Sequence, residues 1–471
     1  MKRNSQSRGT ILIVTMWIIL TLAALVLLLA RAMRVEAVCS ANELSAVQAQ
    51  AVEQAAIQYV LARTDGLQGK APVDEDTPCE AVQVGEGGFW ILRPDLEDYR
   101  KHAFGITDES GKLNLNSAAP AMLMKLPNMT DELAACIVDW RDGDSNITTG
   151  GAENEYYQML PEARQCKNAP LETVEELLLV KGATDEIILG EDANRNGVLD
   201  ENENDRDARL PTDNQDGQLD RGLLPLVTVY SAQPATTGTG GQRQVNVNME
   251  PRSAIETLLR DNGVTLSSGG ATTLASLPPP RGFTNVLDFA VKMKLTAEQA
   301  AKLVDKISTP RSAPAAGRGG AASQPASTVT RGLVNVNTAS RQVLVCLPGL
   351  EDSDASALLS KRAETGVDLT NIAWVLGALE AKKAVGIGDR ITVRSYQFSA
   401  DIVSVCGDGR GFRRCRIVVD ARQSPPRVVY RQDLTHLGWP LDPDIMDALR
   451  LGAGIERLAP GKTSLREENS R

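Results

Sequence analysis

From Thr10 to Asp65 the sequence has neither glycine nor proline, and from Thr10 to Ala30 it carries no charge. The first absence removes the residues that interrupt helices. The second leaves an apolar run long enough to cross roughly 30 Å of bilayer hydrocarbon at about 1.5 Å per residue. Histidine is scarce: the chain of 471 residues has 2, His102 and His436. Neither stands near a serine or cysteine in a nucleophile setting, so no enzyme is expected. The 7 cysteines (Cys39, Cys79, Cys136, Cys166, Cys346, Cys406, Cys415) contain no CxxC pair, which argues against zinc. Positive charge is also short, with a net charge of −10 and no basic cluster beyond the first residues. Phosphate neutralisation by Lys and Arg supplies most nucleic-acid affinity, so no nucleic acid is expected as a partner.

What is present begins with the membrane segment, residues 10–30. Lys2, Arg3 and Arg8 precede it, which keeps the start in the cytoplasm and exports everything after Arg34. A secretory signal peptide would have a shorter core and a small-residue cleavage site. Here a helix-friendly stretch, residues 31–64, follows instead. Val47, Ala51, Ile57, Val60 and Leu61 fall at roughly helical spacing and predict an apolar stripe laid on a folded domain. Residues 65–112 then read as strands at 81–84, 89–92 and 103–106.

A motif recurs further along. Leu113-Asn114-Leu115-Asn116-Ser117-Ala118 followed by Leu126-Pro127 matches Val334-Asn335-Val336-Asn337-Thr338-Ala339 followed by Leu347-Pro348, and Val245-Asn246-Val247-Asn248 repeats its first half. Each full copy reads as strand, Ser or Thr cap, helix, Leu-Pro turn and second helix, a helix-hairpin-helix pattern. A membrane-anchored DNA-binding protein is therefore one alternative. Its turn would need glycines so that backbone N–H groups reach a phosphate. The two turns here hold one glycine between them, Gly349, and put Asp131, Glu132, Glu351 and Asp352 where a phosphate would sit. Helical packing modules are the better reading.

Residues 191–220 concentrate the negative charge. Within them Asp192, Asn194, Asn196, Val198, Asp200 and Glu203 occupy positions 1, 3, 5, 7, 9 and 12 of an EF-hand calcium loop, with Gly197 at position 6. A second, weaker loop offers Asn214, Asp216, Gln218 and Asp220 in the same register. It has Thr212 at position 1 and Leu223 at position 12, so Asp213 or Asp207 would have to compensate. Structural calcium is the expected cofactor. Asp142 and Asp144 read as solvated or metal-adjacent loop residues. A calcium-binding surface adhesion or scaffold protein is a further alternative.

Beyond this, residues 251–308 look helical and 309–331 form a Gly, Ala, Ser and Pro linker. Residues 386–440 give the clearest strands, and the tail from Leu458 should be loose. Cys406 and Cys415 flank a turn-rich hairpin tip, which makes a disulfide between them plausible in an oxidising compartment.

The N-terminal layout resembles that of type IV pilins and pseudopilins. Arg8-Gly9-Thr10 resembles the site where a dedicated prepilin peptidase removes a basic leader, here residues 1–9. Counting Thr10 as first, the fifth mature residue is Val14, where most family members carry Glu. That departure, the paired Asn motifs, Trp140-Arg141-Asp142 and the stretch from Lys167 to Leu177 are similar to the K-type minor pseudopilins of type II secretion. The resemblance implies an α+β fold: a long helix on a pilin-like antiparallel sheet, with an inserted helical domain (113–222), returning strands (223–250), a second module (332–385) and a tail (441–471). It also implies an inner-membrane subunit at the tip of a periplasmic pseudopilus. Its partners would be the other minor pseudopilins, the major pseudopilin, the prepilin peptidase, inner-membrane lipid and secreted substrate. Calcium binding is a property of that family as well.

Overall fold

The computed structural model describes residues 8–458 except 97, 206–210, 215, 235–243, 279 and 310–328. The fold is α+β. One helix, Arg8–Thr64, runs uninterrupted for 57 residues, about 85 Å at the rise of an α-helix. From Ile11 to Ser40 its described side chains are all exposed, and the apolar window near its start is long enough to cross a membrane. From Ser45 onward one face is buried.

That face differs from the predicted stripe. Val47 and Ala51 point outward, while Ser45, Ala49, Val52, Ala56, Ile57 and Val60 are buried. The reason is proximity. A Cβ on Gly411 would lie 2.8 Å from the Ser45 backbone, and one on Gly87 would lie 3.0 Å from Val52. Small residues on both surfaces let helix and sheet meet where larger side chains would hold them apart.

The sheet has seven strands. Its main path runs Val82–Val84, Gly87–Arg93, Gln397–Val405, Phe412–Asp420 and Arg427–Asp433, with Ala103–Phe104 and Thr107–Asp108 pairing from the side. Every pairing is antiparallel. Side chains alternate across it as strand geometry requires. Phe89, Ile91, Phe398, Ala400, Ile402, Ile417 and Val419 face the long helix. Trp90, Leu92, Val403 and Val405 face a helix at Pro443–Arg450 through Met446 and Leu449. Residues 441–458 are thus folded onto the sheet, in contrast to the tail expected over 441–471; residues 459–471 lie outside the described residues, as does most of the 309–331 linker.

The segment 223–250 does not return to this sheet. Val227–Thr228 pairs in parallel with Leu113–Asn114, and Val245–Asn246 pairs in parallel with Ile307–Ser308. The third ladder of this kind joins Val334–Asn335 to Ile391–Thr392. What sequence pattern gave as two copies and a fragment is therefore three modules, each opened by an Asn-containing strand and closed by a parallel partner.

The Asn residues explain the motif. In the first module Asn116 exchanges hydrogen bonds with Leu171: its Nδ2 donates to the carbonyl and its Oδ1 accepts from the N–H. Asn248 does the same with Phe283. Asn337 donates to the Leu369 carbonyl and accepts from Trp374 Nε1. An arginine then takes two carbonyls, one and four residues after the first Asn: Arg141 on Leu115 and Ala118, Arg281 on Val247 and Glu250, Arg362 on Val336 and Ala339. In the middle module this arginine comes from a different place in the chain yet fills the same role. Buried backbone carbonyls need partners, and one forked cation supplies two.

The first and third modules share one hydrophobic core, and the middle one has its own. Both outer modules join the sheet at adjacent buried acids. Asp108 accepts from Asn335, Thr338 and Ser395, and Glu109 accepts from Lys112, Ser399 and Thr228.

Candidate functional site: acidic loops beside the sheet

The first acidic loop folds as its spacing suggests. Asp192 is buried, and its carboxylate accepts from the N–H of Asn196 (2.9 Å) and of Gly197 (3.0 Å). Gly197 has φ 76°, a left-handed turn that suits glycine. Asn194 Nδ2 (2.6 Å) and Asn196 Nδ2 (3.0 Å) both donate to Asp200 Oδ2. Two amide dipoles thus point their positive ends at one carboxylate, a place where a cation would do the same work. Glu203 Oε2 accepts from the Asp200 N–H at 3.1 Å, while its Oε1 is buried with no partner. Burial pushes the Glu203 carboxyl up to about 8 and the Asp192 carboxyl up to about 6.

An orphaned carboxylate oxygen among oxygen donors is what a hard cation would satisfy, so these residues fit calcium. Among the described residues no three His, Cys, Asp or Glu side chains are already gathered around a point. Amide and backbone oxygens make up the rest of this donor set. The space between loop and sheet, bordered by Asp192, Asn196, Arg221 and Asp401, holds about 70 Å³. That is enough to admit water beside the loop.

The second loop repeats the backbone ladder: Asp216 N–H donates to Asn214 Oδ1 at 2.8 Å and Gln218 N–H to Asp216 Oδ1 at 2.7 Å. Asp220 Oδ1 accepts from Gly222 N–H at 2.8 Å. A residue that sequence reading passed over fastens the backbone of this loop. Glu191 accepts from Asn214 N–H (2.9 Å) and Asp220 N–H (3.2 Å) with its two oxygens. Asp213 is buried here as well, and Asp207 lies outside the described residues.

A third acidic loop was missed. Asp142, Asp144, Asn146 and Glu153 have the same 1, 3, 5, 12 spacing, but Ile147 stands where a glycine would have flagged the pattern. Asn146 donates to Asp144, and Thr148 N–H donates to Asp139. Glu153 is 2% exposed, and neither of its carboxylate oxygens has a partner. Burial raises its carboxyl, and Asp139 and Asp142 add to the shift.

The remaining site residues fall elsewhere. Gly9 and Thr10 lie in the first turn of the long helix. The expected Cys406–Cys415 bridge is not formed. Cys415 stands opposite Ile402 in the ladder, so it is four residues along from Cys406. That is about 13 Å at strand rise, beyond the reach of a disulfide. Both thiols are free and buried. Of the two histidines, His102 packs beside the first acidic loop, where burial lowers its pKa, and His436 is exposed. At the hairpin turns, Asp131 and Glu132 occupy one first helical turn and Asp352 and Asp354 the other, which opposes a phosphate at either.

These features define a class: an α+β protein with an N-terminal helix fit to anchor in a membrane, whose outer half packs on an antiparallel sheet carrying helical modules. Residues 111–189 match the family model described as type II secretion system protein K, first domain, and residues 334–394 match a second model of type II secretion system protein K. Both models describe protein K of the type II secretion system, and they match the first and third modules. Among solved structures the chain is similar to one from the GspK–GspI–GspJ complex of the enterotoxigenic Escherichia coli type 2 secretion system. The identity is 12%, 85% of this chain and 98% of that chain are covered, and the TM-score is 0.34. At that score the fold above stands on this chain's own pairing and packing. A search of curated proteins finds no match.

Proposed function

We propose that the chain is inserted in the inner membrane with its N-terminus cytoplasmic, is cut after Gly9, and joins other minor pseudopilins at the tip of a periplasmic pseudopilus. There it takes part in initiating the fibre and in exporting folded proteins through the outer membrane. The observation that carries this reading is the division of the long helix. Its first half is apolar with nothing packed on it, and its second half is fixed to a sheet. Such a helix can leave lipid for the core of a fibre without refolding the domain. With Val14 at the fifth mature position, the subunit lacks the carboxylate that would pair with the N-terminal amine of a subunit ahead. That suits a position with no subunit ahead.

Calcium is structural in this reading. The Asp192–Glu203 loop holds one ion, the Asn214–Asp220 loop with Glu191 forms a weaker site, and Asp142 to Glu153 supplies a third. The ion's role is to neutralise carboxylates that otherwise repel one another. Intact-mass and N-terminal analysis of membrane-extracted protein tests the assignment. A chain beginning at Thr10, methylated or not, is expected; retention of residues 1–9 in a strain with active peptidase overturns it. Gly9→Ala should block the cut.

A further inference from the structure

Arg414 lies in the strand Phe412–Asp420, far in sequence from the acidic loops, and its side chain is 0% exposed. A buried guanidinium needs a counter-charge and acceptors for its remaining N–H groups. Asp401 supplies the charge, at 2.9 Å from Nε and 2.6 Å from Nη2. The rest of the fork reaches out of the sheet. Nη1 donates to the carbonyl of Asn194 at 2.5 Å, and Nη2 donates to that of Arg195 at 2.6 Å.

These carbonyls belong to positions 3 and 4 of the first acidic loop. In a trans peptide the carbonyl and the following N–H point in opposite directions. Holding the Arg195 carbonyl on the sheet side therefore turns the Asn196 N–H into the loop, where it donates to Asp192 Oδ1 and Asn194 Oδ1, both at 2.9 Å. Arg195 has φ 56°, a left-handed backbone that a non-glycine residue adopts only when held. Two more contacts fix the outer side of the loop. Arg221 Nη2 donates to the Gly197 carbonyl at 2.8 Å, and Leu199 N–H donates to the Tyr99 carbonyl at 3.0 Å. With its carbonyls at 194, 195 and 197 taken from outside, the loop turns its side-chain oxygens inward.

We infer that Arg414 is the positioning residue for an ion in the Asp192–Glu203 loop, and that through it the ion staples the first helical module to the antiparallel sheet. The inference rests on the calcium reading above. Coupling of this kind is reciprocal: a sheet that holds the loop raises ion affinity, and the ion steadies the strand that carries Arg414.

Hydrogen exchange on the full chain in detergent, with and without calcium, tests this, alongside calcium titration. In the unsubstituted protein calcium should slow exchange at Asn196 and Gly197 and also within residues 412–420. Arg414→Lys keeps the charge and loses the fork; it should weaken calcium binding at this loop at least tenfold and uncouple the strand, while saturating calcium still protects the loop. Glu203→Gln identifies which part of the titration belongs to this loop. If Arg414→Lys does not fold, the double variant Arg414→Met with Asp401→Asn removes the charge pair together and should show the same uncoupling. Affinity and strand protection like those of the unsubstituted protein in either variant overturn the role of Arg414. No calcium-dependent protection at Asn196 or Gly197 in the unsubstituted protein overturns the calcium reading itself, and the staple with it.

Discussion

The first and third modules are built on the same plan and differ in what fills it. Both open with a buried Asn, fasten the second Asn of the motif to a later backbone segment, and cover two carbonyls with an arginine. In the third module the chain from Asn337 to its Leu369 partner is short, and the buried groups there find partners within the protein. In the first module the chain between Asn116 and Leu171 is longer and contains Asp142 to Glu153, and a second acidic insertion precedes the closing strand. Among the described residues the unpartnered buried carboxylate oxygens, Glu153 Oε1, Glu153 Oε2 and Glu203 Oε1, all belong to those insertions. For its buried carboxylates the scaffold is thus self-sufficient, and the additions to it are not.

The comparison yields predictions of decreasing size. Asn335→Leu should be the most damaging substitution, because it removes a buried amide that donates to Asp108 and Ser395 and accepts from the Asn337 N–H; each lost buried partner costs about 1–3 kcal/mol. Thermal melts should show that loss equally with calcium and with chelator. Asp192→Ala with Glu203→Ala should behave in the opposite way. It removes the stabilisation that calcium confers, about 2.7 kcal/mol at a hundredfold excess over Kd, so its melting temperature should no longer shift between calcium and chelator, while the lost acceptors for the Asn196, Gly197 and Asp200 N–H groups lower stability in both. An Asn335→Leu loss that differs between calcium and chelator, or a calcium-insensitive native protein, would break the contrast between scaffold and insertion.

Acid sensitivity sharpens it further. Burial alone would raise the Glu109 carboxyl, but Lys112 and Arg416 outweigh this and hold it down at about 2. A carboxyl depressed on folding contributes stability that is complete above its unfolded pKa and is lost as pH falls toward the folded value. Between pH 4.5 and about 2 the native chain should lose stability that Glu109→Gln does not lose, as read by denaturant melts across that window. The smallest effect concerns the thiols. Cys39 is exposed and the other six are buried and free, so an alkylating reagent should modify Cys39 alone in the detergent-extracted native chain, and a reductant should leave the melting temperature unchanged.

Much of this architecture was legible in the sequence where a local rule governs. The uninterrupted helix followed from missing Gly and Pro, the long C-terminal strands from their strand-like runs, and the first acidic loop from its spacing around Gly197. The parts that escaped depend on contacts remote in the chain. The buried face of the helix was set by Gly87 and Gly411, which no periodicity within the helix reveals. The middle module kept the Val-Asn-Val-Asn signature but drew its arginine, Arg281, from a new position, so only the fold displays the equivalence. Glu191 and Glu153 were hidden for different reasons: one serves a loop that begins more than twenty residues later, and the other closes a loop with Ile147 at the usual glycine position. The expected disulfide failed because adjacency across a hairpin tip does not survive the actual ladder register.

The central strand Gln397–Val405 lies between Gly87–Arg93 and Phe412–Asp420. Two neighbours in that sheet are therefore separated by about 300 residues of intervening chain, and closing so large a loop is slow and entropically costly. During synthesis the early strands emerge with an unmet edge while three modules are still arriving. A quality-control protease that recognises bare strands would have its opportunity in that interval, and quick, independent collapse of each module shortens it.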